Sequence, residues 1–538
     1  MIKKYFPFFF LIYSSVVFAQ APVFNWGASA GGSDDDIIYD IAIPDSTIFQ
    51  CTIGCPLTLV GTTKSDDGNL TNCNSLIAGN FQALVLKFNT FGNFNDCFSY
   101  GGSGSDKFHK AKYQKTDSGF HKVYLGRTSS NDGDVSGNHG SGDAWLVRTD
   151  ADTIINQTCI GGMGDESGLD FIEMPNHGFL ICGYSNSNII SGIPMSQHGQ
   201  YDGWVARVDS LGNVIWTKRY GGNLGDRFTS ITQTTDGNFV CVGYSNSTDS
   251  AFSVNHGADD YWVVKIDTSG NVLWQKIYGG SGSDISYKVI DVENNNIIVS
   301  GYTESFNGDV VGNHSLSGWN DTWILKLDSS GNIIWKKCFG SSVDEENFTI
   351  LKTNDNNIIV SSSGYGNDGD LTGVTGNNGA WIFKIDSVGN IIWSKKFGST
   401  LSDGIKYSIV SYNSRTFYFV SHPPGVGGNV NVFYGGAHDI WLASITDTSS
   451  SLGIAATEEK NGIILSPNPL REQLKIEFQS IQSGKVVFYS ALGEVALRSQ
   501  EFCAKEKTID VSGLVEGIYV VKIFSDEKII VKKIIKIK

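Results

Sequence analysis

The sequence predicts an all-β protein: a seven-bladed β-propeller closed by its own N-terminal strand, followed by a small Ig-like β-sandwich. Three observations predict it. One Trp recurs six times at a spacing near 60 residues, each copy lies in a unit of four short strand-like runs, and the charge pattern breaks near residue 447. The composition agrees. Of 538 residues, 40% are hydrophobic and 12% aromatic, enough for a core, while only 18% are charged and 63 are Gly. Turn-rich β structure has this profile. The net charge of −15 argues against nucleic acid and anionic membranes as partners, because both need basic faces.

Residues 1–19 read as a secretory signal: Lys3 and Lys4, an apolar run from Tyr5 to Phe18, and Val17-Phe18-Ala19 ahead of a cut before Gln20. The run is too short for a good membrane span, no Cys follows the cut to carry a lipid, and no later stretch is long and apolar enough to cross. Residues 20–446 form the repeat. Trp145, Trp204, Trp262, Trp323, Trp381 and Trp441 follow one another at 59, 58, 61, 58 and 60 residues, and Val85 stands one period before the first, making seven units. Each Trp can bury about 150–250 Å², so six copies at one position read as packing between blades. Unit four shows the strands: Arg227–Gln233, Asn238–Tyr244, Tyr261–Ile266 and Asn271–Tyr278, with hairpin signals at Asp236-Gly237-Asn238 and at Asp267-Thr-Ser-Gly270-Asn271. A β-propeller has this period and strand count; a three-sided β-solenoid is the alternative, with shorter coils.

A second series decides closure. Trp216, Trp274, Trp335 and Trp393 each precede a Gly by five residues, and so does Trp26, at the wrong end of the chain. Unit seven ends after its third strand. Val23–Ala28 is therefore expected to pair antiparallel with Ile440–Ile445 as the missing fourth strand, leaving no open sheet edge. The repeated Gly-Gly turns, as at Gly101-Gly102-Ser103 and Gly279-Gly280-Ser281, read as positive-φ turns between blades.

The long connections, Lys64–Gln82, Thr128–Asp143, Ser185–Asp202, Ser245–Asp260, Thr303–Asp321, Gly364–Gly379 and His422–Asp439, all join second to third strands. They fall on one face, which is the expected binding surface. Asp132 and Asp134, Asp309, and Asp368 and Asp370 alternate around Gly in these loops. Such carboxylates can wrap Ca²⁺, although a closing Glu is missing and a solvated Asx turn is the preferred reading. His139, His198 and His256 each precede the blade Trp by six residues, with His314 and His438 as irregular copies. They sit on different blades, so a repeated hydrogen-bonding role fits better than a metal cluster. No Gly-x-Ser-x-Gly or His-Glu-x-x-His is present, and the notable polar residues obey the repeat, whereas active sites break symmetry. No catalytic residue and no cofactor is expected. The Asp-x-x-Gly-Asn-x-x-Trp element (Asp209–Trp216 and its copies) resembles the repeats of quinoprotein-like propellers, which implies architecture only. Of nine Cys, Cys51, Cys55 and Cys73 cluster where a bridge would fit. Cys182 and Cys241 lie one register apart, and so face opposite sides of equivalent strands.

Residues 447–461 read as a linker. Residues 462–538 carry 12 basic and 9 acidic side chains, net +3, against 28 and 46, net −18, for the rest. Period-2 runs Leu474–Phe478, Lys485–Tyr489, Glu494–Phe502, Gly517–Phe524 and Lys528–Ile537 predict the sandwich. Ser466-Pro467-Asn468-Pro469, Phe488 to Gly493, Asp510 to Leu514 with Gly517-Ile518-Tyr519, and Lys528–Lys538 together resemble the type IX secretion sorting domain of Bacteroidota. That resemblance implies recognition by the type IX machinery through Pro467, Asn468, Pro469, Gly493, Gly517 and Tyr519, then release or attachment at the outer-membrane surface. The whole reads as a secreted, non-catalytic binding protein for a glycan, a protein or a surface polymer. A propeller-type polysaccharide hydrolase or lyase and a structural surface-layer component are the alternatives.

Overall fold

The computed structural model describes residues 22–44, 55–71, 73, 80–116, 119–195, 199–249, 255–315, 318–376, 379–399, 404–411, 413–435, 439–449, 464–466, 472–490, 495–525 and 529–536. The expected signal segment lies outside them. The chain forms two units, Met1–Thr448 and Ser449–Lys538.

The first unit is all-β and propeller-like. Among the described residues it holds seven four-stranded antiparallel sheets. Sheet one runs Asp36–Ala42, Pro56–Thr63, Gln82–Asn89, Phe94–Tyr100. Sheets two to six repeat that order, with first strands Asp106–Thr116, Glu166–Glu173, Asp226–Gln233, Asp284–Asp291 and Asn347–Lys352. Sheet seven takes Gly404–Ser411, Thr416–His422 and Ile440–Thr446, and its fourth strand is Val23–Ala30. That strand pairs antiparallel with the third, from Val23 opposite Thr446 to Ala30 opposite Ile440. Each first strand packs against the first strand of the next sheet, and that of sheet seven against that of sheet one.

The two Trp series explain the packing. The six central Trp residues are at most 1% exposed. In sheets two to five each lies opposite a second-strand Gly: Gly126, Gly183, Gly243 and Gly301. The Gly is required, because a Cβ at Gly243 would collide with the carbonyl of Arg227 on the first strand. Rings then stack within and between sheets, as Trp262 does on Phe228 at 4.4 Å. The outer Trp residues rest on the third-to-fourth hairpin of the following sheet. Trp216 covers Gly270 and Trp274 covers Gly331, both with positive φ, and Trp274 Nε1 donates to Ser329 O at 3.0 Å. Trp26 covers Gly92 of sheet one in the same way.

Three details differ from expectation and a fourth extends it. Asp447, the first residue of the expected linker, is fully buried and accepts from Lys384 Nζ at 2.7 Å and Trp393 Nε1 at 3.0 Å. Cys73 is bridged to Cys97, a pairing the spacing did not single out; Cys55 is also disulfide-bonded, while Cys51 lies outside the described residues. Cys182 and Cys241 do face opposite sides of their own sheets, and for that reason meet in one core cluster between sheets three and four as free thiols. In the second unit, two expected strands are one 18-residue strand, Gln473–Ser490, shifted in register between Glu477 and Gln482. It pairs with Ile464–Ser466, Val495–Asp510 and Gly517–Ser525, the last of which pairs with Ile529–Lys536. Tyr519 sits in this unit's core and its hydroxyl donates to Val515 O at 2.8 Å. Gly517 opens its strand. Pro467, Asn468, Pro469 and Gly493 lie outside the described residues.

Candidate functional site

The long loops are stapled to the turns between sheets, which places both on one face. Asp132 Oδ1 accepts from Ser103 N at 2.6 Å and Asp134 Oδ2 from Gly101 N at 3.2 Å. Asp368 and Asp370 repeat the arrangement with Ser342 N at 2.9 Å and Gly340 N at 3.2 Å. In sheet five Asn307 takes the Ser281 N at 2.8 Å, and Asp309 lies 3.8 Å from Lys336 Nζ. The backbone donors hold Asp132 and Asp368 below the usual carboxylate range. One oxygen of each of Asp132, Asp134, Asp368 and Asp370 thus accepts a backbone N–H. Among the described residues, no group of three or more His, Cys, Asp or Glu is placed to hold a metal ion.

Beneath the staples, two buried acids meet at successive junctions. One stands at or just before the start of a first strand (Asp36, Glu166, Asp226, Asp284, Glu345) and the other at or just before the start of the preceding third strand (Asp439, Asp143, Asp202, Asp260, Asp321); all are fully buried. The first-strand acid is saturated with donors: Asp284 accepts from Gly280 N at 2.7 Å, Ser305 Oγ at 2.9 Å and Thr303 Oγ1. The third-strand acid takes the repeated His. His139 Nδ1 lies 2.6 Å from Asp143 Oδ2, His314 Nδ1 lies 2.9 Å from Asp321 Oδ2, and His256 N donates to Asp260 Oδ2 at 2.6 Å. His198 and His438 lie outside the described residues. Among the described residues, Oδ1 of Asp143, Asp260, Asp321 and Asp439 has no hydrogen-bond partner. It faces the other acid across the first Gly of the turn, where a Cβ would strike both. Burial pushes Asp143, Asp260 and Asp439 up to about 6 and Glu345 up to about 7, and the neighbouring acid adds to each. At the junction of Asp260 with Asp284 the two carboxyls interact directly, an arrangement that one proton between them would satisfy.

The axis of the unit is different. Every first strand shifts register at one place, between Ile38 and Asp40 in sheet one and at matching positions in the other six. The bulge turns one extra residue toward the axis. Tyr39, His109, Leu169, Thr229, Tyr287 and Phe348 line a cavity of about 350 Å³ there. An ionic layer floors it. Lys110 Nζ binds Asp40 at 2.9 Å, Lys288 Nζ binds Asp170 at 2.9 Å, and Ser230 Oγ donates to Asp170 at 2.7 Å. A second cavity, of about 630 Å³, lies on the short-hairpin side and shares Asp40, Lys110 and Lys288. Burial alone would raise Asp170, but Lys288, Lys110 and Lys112 outweigh it and hold the carboxylate well below its usual range. Burial lowers Lys112 to about 8. No sequence signal marked these residues, since the bulge breaks the strand alternation that pattern reading depends on.

Residues 465–538 match the family described as the secretion system C-terminal sorting domain. Among curated proteins none matches the sequence. Similar solved structures include Sqt1 from Chaetomium thermophilum (10% identity, 77% of this chain and 87% of that one, TM-score 0.38), Pseudomonas fluorescens PhoX in complex with vanadate (10%, 78% and 89%, 0.37) and the polysaccharide lyase Uly1 (10%, 79% and 99%, 0.39). Likeness at this level carries no argument. Among the described residues no helix is long and apolar enough to cross a membrane. The C-terminal segment is a type IX secretion sorting domain, and the protein that carries it is exported to the cell surface or the extracellular space.

Proposed function

We propose that the exported chain is a non-catalytic binding protein. Its first unit is a seven-bladed propeller buckled by its N-terminal strand, and the long-loop face engages a glycan, a protein or a surface polymer. One observation carries this reading. In a unit where Trp, Gly, Asp and His follow the repeat, the residues turned toward the axis do not: the set Tyr39, His109, Leu169, Thr229, Tyr287 and Phe348 holds five residue types in six sheets. A single ligand needs such asymmetry, and a purely structural ring does not. The test is an array of glycans and surface proteins probed with the exported chain. Retention of a soluble ligand supports binding, while self-association without any ligand contradicts it.

A second reading, a polysaccharide hydrolase or lyase, is favoured by the convergence of Asp40, Asp170 and His109 from three sheets on one cavity. Against it, both carboxylates are spent on lysines, leaving no acid and base pair of contrasting protonation. Cleavage of any retained polymer would overturn the binding reading.

A further inference from the structure

Two successive junctions share a backbone bridge and differ in what fills the space beside it. At the junction of sheets two and three, Asp165 bridges Gly142 through the backbone and accepts from Arg127 Nε and Nη2 at 2.7 and 2.5 Å. The guanidinium is neutralised and the space is filled. At the next junction the same backbone bridge joins Tyr201 to Gly225, so Gly stands in the place of that carboxylate. A cavity of about 510 Å³ opens there, lined by Gln200, Tyr201, Arg227, Tyr244, Asn246 and Asp259. Arg227 lies against two tyrosines, its guanidinium carbon 4.5 Å from the Tyr184 ring centre and 5.1 Å from that of Tyr201, and the two rings meet edge to face at 5.5 Å. Among the described residues Arg227 forms no ion pair. Asn246 Oδ1 accepts from Gly225 N at 2.8 Å, which fixes the amide.

The chemistry of this wall selects a ligand class. Arg227 supplies a fork of donors whose faces are already covered by rings. Asp259 accepts, and the amides of Gln200 and Asn246 add further polar groups. One cation and one anion balance. Hydroxyls, which donate and accept at once, match such a set, whereas an anionic ligand would face the Asp259 carboxylate. We propose that the cleft between sheets three and four binds a neutral saccharide, held by Arg227, Asp259 and the tyrosines around them. The inference rests on the long-loop face being the binding surface and adds the place and the ligand class.

The experiment is calorimetric titration of the exported full chain with neutral tetrasaccharides of glucose, mannose and xylose, and with an oligogalacturonate as the acidic comparison. Two variants close the site differently. Arg227→Ala removes the donors. Gly225→Asp restores the carboxylate found at the preceding junction, and there is room for it, because a Cβ at Gly225 meets only Asn246, at 3.6 Å. Gly225→Ala is the control that fits and carries no charge. The expected result is that a neutral tetrasaccharide binds, that Arg227→Ala and Gly225→Asp each weaken it about tenfold or more, and that Gly225→Ala leaves it within about twofold, all at unchanged melting temperature for the Gly225 variants. Equal binding by all variants would overturn this cleft while leaving the long-loop face as the binding surface. Binding of the oligogalacturonate alone would overturn the neutral class. Binding of no saccharide, with a protein retained on the array, would overturn the inference and spare the broader reading.

Discussion

The junctions on either side of sheet three share a backbone bridge and end differently. Between sheets two and three Arg127, on a second strand, is met by Asp165. Between sheets three and four Gly225 stands in the place of Asp165, and Arg227, on a first strand, forms no ion pair among the described residues. It lies against Tyr184 and Tyr201, with Tyr244 and Asp259 also feeling its charge. The closed junction holds the fold together and offers a ligand nothing. The open one is less well satisfied within the chain, and its unspent donors are what a ligand can use. In a repeat protein this contrast is informative: residues that obey the period report packing, and a departure whose polar groups are not spent within the chain marks where something else can be recognised.

The contrast predicts that repeated residues, and irregular ones whose groups are spent within the chain, control stability, while irregular residues left unspent control binding. The largest effect is expected from Trp262→Ala, which removes a fully buried ring and costs about 4 kcal/mol, read by chemical denaturation; saccharide affinity of the folded fraction should not change. Asp170→Ala sharpens the comparison at the axis. It leaves Lys288 and its neighbours without their carboxylate and is expected to cost about 3 kcal/mol; an unchanged denaturation midpoint would remove the ionic layer from the account. The paired acids at the junctions give a pH dependence. Their folded-state pKa values, about 6 for Asp143, Asp260 and Asp439 and about 7 for Glu345, lie above those of an unfolded chain. Their contribution is therefore complete below about pH 4 and is lost as pH rises through 6 and 7. The melting temperature should fall by roughly 5 °C or more between pH 5 and pH 8; a flat or rising profile would contradict these raised pKa values. The smallest effect is expected from EDTA, about 1 °C or less, because Asp132, Asp134, Asp368 and Asp370 already accept backbone N–H groups. A shift of several degrees would show that these loops hold a cation.

Much of the first unit was legible because its signals are local or strictly periodic. The Trp spacing located the sheets, Asp267 and Asn271 close their hairpin as the motif requires (Asn271 N donates to Asp267 Oδ1 at 2.8 Å), and the misplaced Trp26 pointed to the pairing of Val23–Ala30 with Ile440–Thr446. The repeated His was read as a hydrogen-bonding residue, and His139 and His314 do bond an Asp. That this Asp faces a second buried acid was not legible, because the partner comes from the next sheet. The Arg227 cleft was equally invisible. Arg227 occupies an ordinary strand position and Gly225 an ordinary turn, and only the register between neighbouring sheets brings Tyr184 and Tyr201 to them. The Cys73–Cys97 bridge joins a long loop to a fourth strand, which spacing alone does not encode.

The most direct test is the footprint of a bound saccharide measured by amide hydrogen exchange on the exported chain. Protection confined to the segments around Tyr184, Tyr201, Gly225–Arg227, Asn246 and Asp259 is the predicted result. Protection spread evenly over all seven long loops, or absent from these segments, would contradict the claim that a departure from the repeat marks the site.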